Sequence, residues 1–314
     1  MLVNPVFSAW RRRSIPRIRE IFSQAGATVD LVETGPNRAA SVTAQRAAEA
    51  GADAVIVCGG DGTVFDVLQG LAGTGVPIGI CPFGTGNILV QNLGLPRDPV
   101  AAAHALLTAK PVTVPLGKVT CGDDARRWYF AMAAGIGGHA AMMKAALHYH
   151  KHRTGRLAYF AAGFEVLALH PLQLFELEMT TVAGEQLTRR VSEMIAVRVS
   201  ELNIWRPGGG LEYPFLRVAT VEGASRARLA RASFESLALG SGQRHRSRRP
   251  GAAAQYEDVV RIVARLIAEP PAEIEHRRPL SLQVDGEILA AIRETAPATI
   301  EMAARNAIFL SGQS

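Results

Sequence analysis

Strand-like and helix-like hydrophobic patterns alternate through the first third of the chain. Met1 to Val3 reads as a short strand, Ile15, Ile18, Ile21 and Phe22 recur at helical spacing until Gly26 closes the helix, and Val29 to Val32 reads as the next strand. An Ala-rich helix from about Arg38 to Ala50 ends at Gly51. The run Ala54 to Cys58 is small, apolar and rich in β-branching, as expected of a parallel strand buried on both faces. Gly59-Gly60-Asp61-Gly62-Thr63 follows, then a helix with Val64, Val67, Leu68 and Leu71 on one face, and a strand Pro77 to Cys81. A second glycine loop, Pro82-Phe83-Gly84-Thr85-Gly86-Asn87, again lies between a strand and a helix. This alternation predicts an α/β domain, a parallel sheet with crossover helices, whose two glycine loops leave one sheet edge and face a common crevice.

Beyond about Leu116 the pattern changes to longer extended runs: Val112 to Val119, Arg127 to Ala133, Leu172 to Thr181, Gln186 to Val199 and Leu216 to Val221. Helical segments near His139 to Tyr149 and Leu157 to Leu169 interrupt them, and Tyr256 to Ile267 fits both periods. The expectation is a mostly antiparallel second domain. Gly240 to Gly251, rich in Arg, Ser and Gly with no apolar anchor, reads as a flexible basic loop. Gly135-Ile136-Gly137-Gly138, ahead of a helix, imitates part of a dinucleotide loop without its spacing or acid, and reads as close backbone packing.

The chemistry of the Gly59 loop points to phosphate. Glycines let main-chain N–H groups approach an anion, and the following helix offers uncapped donors and the positive end of its dipole. Asp61 stands out, because a carboxylate beside phosphates repels them unless a cation or donor intervenes, so it suggests Mg²⁺ handling, directly or through water. The plainer alternative is an ordinary strand-to-helix turn with Asp61 or Thr63 as N-cap.

Composition narrows the partners. The 314 residues are 48% hydrophobic, enough for two cores, and carry a net charge of +6 with pI ≈ 9.6, which favours anionic partners. Aromatics at 6% are too sparse for a base-stacking platform, which argues against nucleic acid. Cys58, Cys81 and Cys121 form no CxxC pair and read as reduced core thiols of a cytoplasmic protein. The opening residues do not read as a signal peptide, and Leu157 to Leu169 carries Glu165 and is too short to span a bilayer, so membrane contact is expected to be peripheral. His148, His150 and His152, with Lys151 and Arg153, read as a solvated basic face and Arg11 to Arg13 as a solvated helix start; either could touch anionic headgroups. No Ser-His-Asp, Cys-His or HExxH arrangement is recognisable.

Asn4-Pro5 in the first strand, Gly59-Gly60-Asp61-Gly62-Thr63, Pro82-x-Gly84-Thr85-Gly86-Asn87 and the late Val284-Asp285-Gly286-Glu287 together resemble the diacylglycerol kinase and sphingosine kinase family of lipid kinases. The resemblance implies an α/β nucleotide-binding domain over residues 1–116 and a β-sandwich domain over 117–296. A C-terminal segment, 297–314, is implied to pack back on the first domain through Thr299 to Leu310. The implied active site lies between the domains and transfers phosphate from ATP, carried with Mg²⁺, to a lipid hydroxyl at a membrane surface. By position the nucleotide contacts are Asn4, Thr34, Gly59, Gly60, Asp61, Gly62, Thr63, Asp66, Gly84, Thr85 and Asn87. The catalytic group is Asp61 with the acid pair, Glu287 as base and Asp285 assisting; without the resemblance, Asp285-Gly286 after a strand is an ordinary hairpin turn. Lys151-x-x-x-Gly155-Arg156-Leu157-Ala158-Tyr159 matches a weaker family pattern.

The chain departs from the family pattern in three places. Asp66 stands where Glu is more common, and Ala9 and Trp10 stand where a Gly-containing turn often follows Asn4-Pro5. Gly208 to Pro214 lacks the acidic run that holds a structural Mg²⁺ in bacterial members, which puts such a site in doubt here. Two other activities fit parts of the pattern. NAD kinases share the Gly59 motif but not the Gly84 loop, and a catalytically silent nucleotide or lipid binder would keep the loops without turnover.

Overall fold

The computed structural model describes residues 1–5, 13–35, 39–121, 126–137, 172–202, 209–238, 253–267, 280–292 and 296–313. The predicted helices at His139 to Tyr149 and Leu157 to Leu169, the basic loop Gly240 to Gly251, the Lys151 to Tyr159 pattern and the three histidines lie outside them, as do Ala9, Trp10, Arg11, Arg12, Gly138 and Gly208. The chain divides into two units, Met1–Leu116 with Ala303–Ser314, and Gly117–Met302.

The first unit is built as the alternating pattern predicts. Its strands are β1 (Leu2–Val3), β2 (Val32–Glu33), β3 (Val55–Gly59), β4 (Pro77–Pro82) and the C-terminal part of β14 (Ala298–Ser311). They pair in parallel in the order β2-β1-β3-β4-β14. The connecting helices are α1 (Ile15–Gln24), α2 (Ala39–Glu49), α3 (Asp61–Leu71), α4 (Ile88–Asn92) and α5 (Pro99–Leu106). Helix α1 buries Ile15, Ile18, Ile21 and Phe22, the face its periodicity marks, and α3 buries Val64, Val67, Leu68 and Leu71. The second strand corrects the sequence reading: it begins at Val32, not Val29, because β1 offers only Leu2 and Val3 as partners, and as the edge strand it leaves both its residues exposed. Cys58 and Cys81 are buried free thiols opposite each other on β3 and β4. A hydrogen bond to Cys58, together with burial, pushes the Cys81 thiol well up, away from the reactive thiolate.

The second unit is antiparallel. Its strands are the end of β5 (Lys110–Cys121), β6 (Arg126–Phe130), β7 (Ala133–Gly137), β8 (Phe175–Thr181), β9 (Gln186–Val197), β10 (Leu216–Glu222), β11 (Gln255–Leu266), β12 (Leu280–Val284), β13 (Glu287–Ile292) and the start of β14. The two long strands change partners midway. Residues 186–191 of β9 pair with β8 and 191–197 with β10, while β7 takes 193–197 from the other side. Likewise 255–259 of β11 pair with β10 and 259–266 with β8. Register shifts at Val221/Glu222 and Val259/Arg261 accompany the exchange, and strands that switch layers at such irregularities turn one sheet into a sandwich.

Three local readings are corrected in this unit. The run Arg127 to Ala133 is not one strand: it breaks at Ala131 and Met132, whose N–H groups leave the ladder for the carboxylate of Asp285. Gly135 to Gly137 belong to β7, a wholly buried strand between β12 and β9, so the glycines sit inside a sheet. Helix α6 (Arg226–Ala238) has no counterpart in the sequence reading, because its anchor among the described side chains is thin: Leu229 and Ala232 pack with Val221 and Ala253. The ambiguous segment near Tyr256 is a strand, since β11 has β-partners on both sides.

The C-terminal residues complete the first unit's sheet. Ile308 and Phe309 pair with Pro77 and Ile78, Phe309 is fully buried, and the Ser311 hydroxyl donates to the Leu93 carbonyl at 3.0 Å. Phe309→Ala is therefore expected to cost about 3 to 5 kcal/mol by leaving a cavity beside β4, read as a lowered urea midpoint at unchanged slope.

Candidate functional site

Four of the five parallel strands of the first unit end in a residue marked from the sequence: Asn4 after β1, Thr34 after β2, Gly60 and Asp61 after β3, and the Phe83 loop after β4. The chain leaves β1 toward β2 on one side, while β3 and β4 lie on the other. The strand order therefore reverses between β1 and β3, where open α/β sheets form their crevice beyond the strands' carboxyl ends. Asn4 and Asp61 flank that point. The Asn4 side chain donates to the Thr63 hydroxyl at 2.9 Å, and its main-chain N–H donates to the Cys58 carbonyl at 3.2 Å. Thr34 is buried and tied by its main-chain N–H to the Val3 carbonyl at 2.8 Å.

The two glycine loops pack against each other main chain to main chain. Phe83 N–H donates to the Gly59 carbonyl at 2.9 Å, and a Cβ on Gly84 would stand 2.8 Å from the Gly60 Cα and 2.8 Å from Asn87 Oδ1. Only glycine permits that approach. Asn87, at φ 46°, folds its loop on itself: its amide donates to the Gly84 carbonyl at 2.8 Å, and its Oδ1 accepts from Gly84 N–H at 3.2 Å. Gln91, which the sequence reading does not single out, donates to the Gly86 carbonyl at 3.1 Å and steadies the same loop.

Asp61 departs from both plain alternatives. Gly60 is the N-cap of α3, no side chain caps that helix, and Asp61 is its first residue. Its Oδ1 instead accepts the Ile88 N–H at 3.0 Å, so the carboxylate leaves its own helix and holds the start of α4. The first N–H groups of α3 are thereby left without a side-chain acceptor, which is how a helix N-terminus takes an anion. Burial raises the Asp61 carboxyl above its ordinary range, more strongly than the N–H groups of Leu89, Ile88 and Asn87 lower it. A divalent cation at this carboxylate would offset the cost of its burial. Among the described residues no group of three or more His, Cys, Asp or Glu could form a metal cage. Any ion here would bring most of its oxygen ligands as water or phosphate, as Mg²⁺ usually does. Asp66 lies one turn further along α3, half-buried.

The second unit carries the other acid pair. Asp285 and Gly286 form the two-residue turn between β12 and β13, with φ of 47° and 88°, the geometry of a type I′ hairpin. The hairpin expectation is met, and the turn also does more. The buried Asp285 carboxylate accepts N–H groups from Ala131 and Met132 at 2.9 Å and Ala133 at 2.8 Å, using both oxygens. Buried Gln283 accepts from Gly286 N–H at 3.0 Å. Glu287, the first residue of β13, is half-buried. Arg198 lies fully buried in this unit; burial lowers its guanidinium to about 10 against the attraction of Asp285 and Glu212, which leaves it charged at neutral pH. A charged residue inside the apolar run Met194 to Val199 was the available sequence signal.

Residues 1–119 match the family model described as the diacylglycerol kinase catalytic domain. The similarity to this family lies in that segment, 119 of the 314 residues. The match covers β1 to β4, both glycine loops and Asp61. A diacylglycerol kinase of Mycobacterium tuberculosis is 37% identical over 124 residues, 39% of this chain and 40% of the relative. One from Bacillus subtilis is 29% identical over 167 residues, 52% of this chain and 53% of the relative, and a sphingoid long-chain bases kinase of Arabidopsis thaliana is 28% identical over 201 residues, 59% of this chain and 25% of that protein. The chain thus spans about half or less of the length of these family relatives. A solved structure of a diacylglycerol kinase from Bacillus anthracis str. Sterne shares the fold, with a TM-score of 0.64 at 16% identity over 99% of this chain and 95% of its own. No described helix is long and apolar enough to cross a membrane.

Two expectations follow from this geometry. An acid whose folded-state pKa lies above its unfolded value costs nothing while both states are protonated, and folded stability is lost as pH rises through the raised pKa. Asp61→Asn keeps an acceptor for Ile88 N–H and removes that cost. In urea titrations of the unliganded protein, the variant should match the wild type at pH 4 and gain on it by pH 8. In the second unit, Asp285→Asn turns an amide donor toward main-chain donors and is expected to cost about 1 to 3 kcal/mol, whereas Glu287→Gln should leave the urea midpoint within about 0.5 kcal/mol of wild type.

Proposed function

We propose that this protein is an ATP- and Mg²⁺-dependent lipid kinase that transfers the γ-phosphate of ATP to a lipid hydroxyl, of diacylglycerol or a related lipid. The observation that carries the reading is the pair of glycine loops tied by Asp61 at the sheet's switch point, beside the uncapped start of α3. In this reading the β- and γ-phosphates lie at the start of α3, against the main chain of residues 60–62, and beside the Gly84 to Asn87 loop. Asn4 and Thr63 fix the end of β1 against α3, and Thr34, Asp66 and Thr85 provide further nucleotide contacts. Asp61 holds the Mg²⁺ carried with ATP, directly or through water. When bound, that ion neutralises charge on the transferring phosphoryl group.

The lipid hydroxyl needs an acceptor for its proton. Asp285 spends both oxygens on main-chain N–H groups, so its part is to fix the turn, and Glu287 on the same turn is the base. The basic chain suits contact with an anionic membrane surface.

Transfer of radiolabel from ATP to micellar diacylglycerol, a sphingoid base and a glycolipid tests the reading. A labelled lipid is expected, while no labelled lipid, or labelled NAD in a parallel tube, would overturn it. Asp61→Ala and Glu287→Gln should each reduce transfer by about 100-fold or more. Glu287→Gln should still give a thermal shift with Mg-ATP, since the group assigned to it takes no part in nucleotide binding.

A further inference from the structure

The second unit contains a buried positive charge that the proposed reaction does not use. Arg198 follows β9 and is fully buried. Its Nη1 donates to the Tyr213 carbonyl at 3.0 Å and the Phe215 carbonyl at 3.3 Å, its Nη2 donates to the Leu211 carbonyl at 2.9 Å, and Met302 Sδ lies 3.1 Å from Nη1. Its Nε is buried without a hydrogen bond among the described residues. Carbonyl oxygens gathered around a buried positive charge are the surroundings a hard metal cation takes. Here the cation is covalently part of the chain.

The same residue reaches the acid turn through one intervening residue. Arg198 main-chain N–H donates to the Met132 carbonyl at 2.8 Å, and Met132 N–H donates to Asp285 Oδ1 at 2.9 Å. Asp285 N–H returns to the Ala133 carbonyl at 2.8 Å. Met132 is thus held between Arg198 and Asp285, at the break between β6 and β7. Without this side chain the Leu211, Tyr213 and Phe215 carbonyls lose the donors that hold them together.

We infer that Arg198 is a positioning residue for the Asp285-Gly286-Glu287 turn: an internal cation that gathers the 211–215 carbonyls and, through Met132, fixes where Glu287 is presented. The consequence for rate rests on the kinase reading above; the placement of the turn does not.

The test compares Arg198→Met, of similar length and uncharged, with Arg198→Lys, which keeps the charge but not the planar fork. It uses two readouts: amide hydrogen exchange without ligands, and steady-state transfer from Mg-ATP. In Arg198→Met the amides of residues 131–133 and 285–287 should lose protection selectively while β8 and β11 keep theirs. Its kcat should fall by about 100-fold, the scale of a small misplacement of a reacting group, at a KM for ATP within threefold of wild type. Arg198→Lys should fall between the two.

Wild-type exchange at 131–133 and 285–287 in both variants overturns the inference, as does a folded Arg198→Met with kcat within threefold of wild type. If Arg198→Met does not fold, Arg198→Lys decides: wild-type protection and rate overturn the inference, and selective loss of both supports it. If the wild-type protein labels no lipid yet Arg198→Met loses protection selectively, the inference stands and the kinase reading falls.

Discussion

The hydrogen bond from Ile88 N–H to Asp61 Oδ1 is the side-chain contact that ties the two glycine loops together. Parallel strands place the two glycine loops side by side, since β3 and β4 pair in register up to Gly59 and Pro82. At their bases the loops are joined by Phe83 N–H donating to the Gly59 carbonyl. Asp61 adds a link from the first residue of α3 to the first residue of α4, while Gly84 allows the backbones to touch. Because the carboxylate turns away from its own helix, the start of α3 keeps its donors for a ligand. One side chain therefore joins the loops and leaves the start of α3 without a side-chain cap.

The second unit uses a carboxylate in a related way with a different outcome. Asp285 also accepts main-chain N–H groups from a distant segment, but it takes three of them, is buried, and has no oxygen left over. Asp61 also meets main-chain N–H groups, those of Leu89, Ile88 and Asn87, but burial outweighs them and raises its proton affinity. The difference separates a group that organises backbone from one suited to meet a cation. Glu287 inherits its position from the first kind and is free of its duties.

Much of the first unit is legible because its signals are local. Apolar spacing marks Ile15, Ile18, Ile21 and Phe22, and β-branched runs bounded by glycine mark β3 and β4. The loop residues Asn4, Gly59 to Thr63 and Gly84 to Asn87 do converge, because parallel topology sends every strand's carboxyl end to one edge. What escapes is decided by partners far away in sequence. The break at Ala131 and Met132 is made by Asp285, more than 150 residues on, and no propensity at Arg127 to Ala133 encodes it. The start of β2 depends on where β1 ends, and α6 is hidden by an apolar face too thin to stand out. Arg198 is the intermediate case: its charge within an apolar strand was visible, but the carbonyls it faces were not.

Asp61 also illustrates why a site reads as locally inconsistent. Left alone, its half-buried carboxylate raises its own pKa and makes the unliganded fold less stable as pH rises, so selection for stability alone would favour Asn. Asn would keep the link to Ile88. It would also bring no charge to a cation, and charge is the one property that separates the two side chains at this position. In the proposed kinase reading, a cation that compensates the carboxylate accounts for Asp rather than Asn at this position, and the stability lost in the unliganded protein would return as differential affinity when that cation binds.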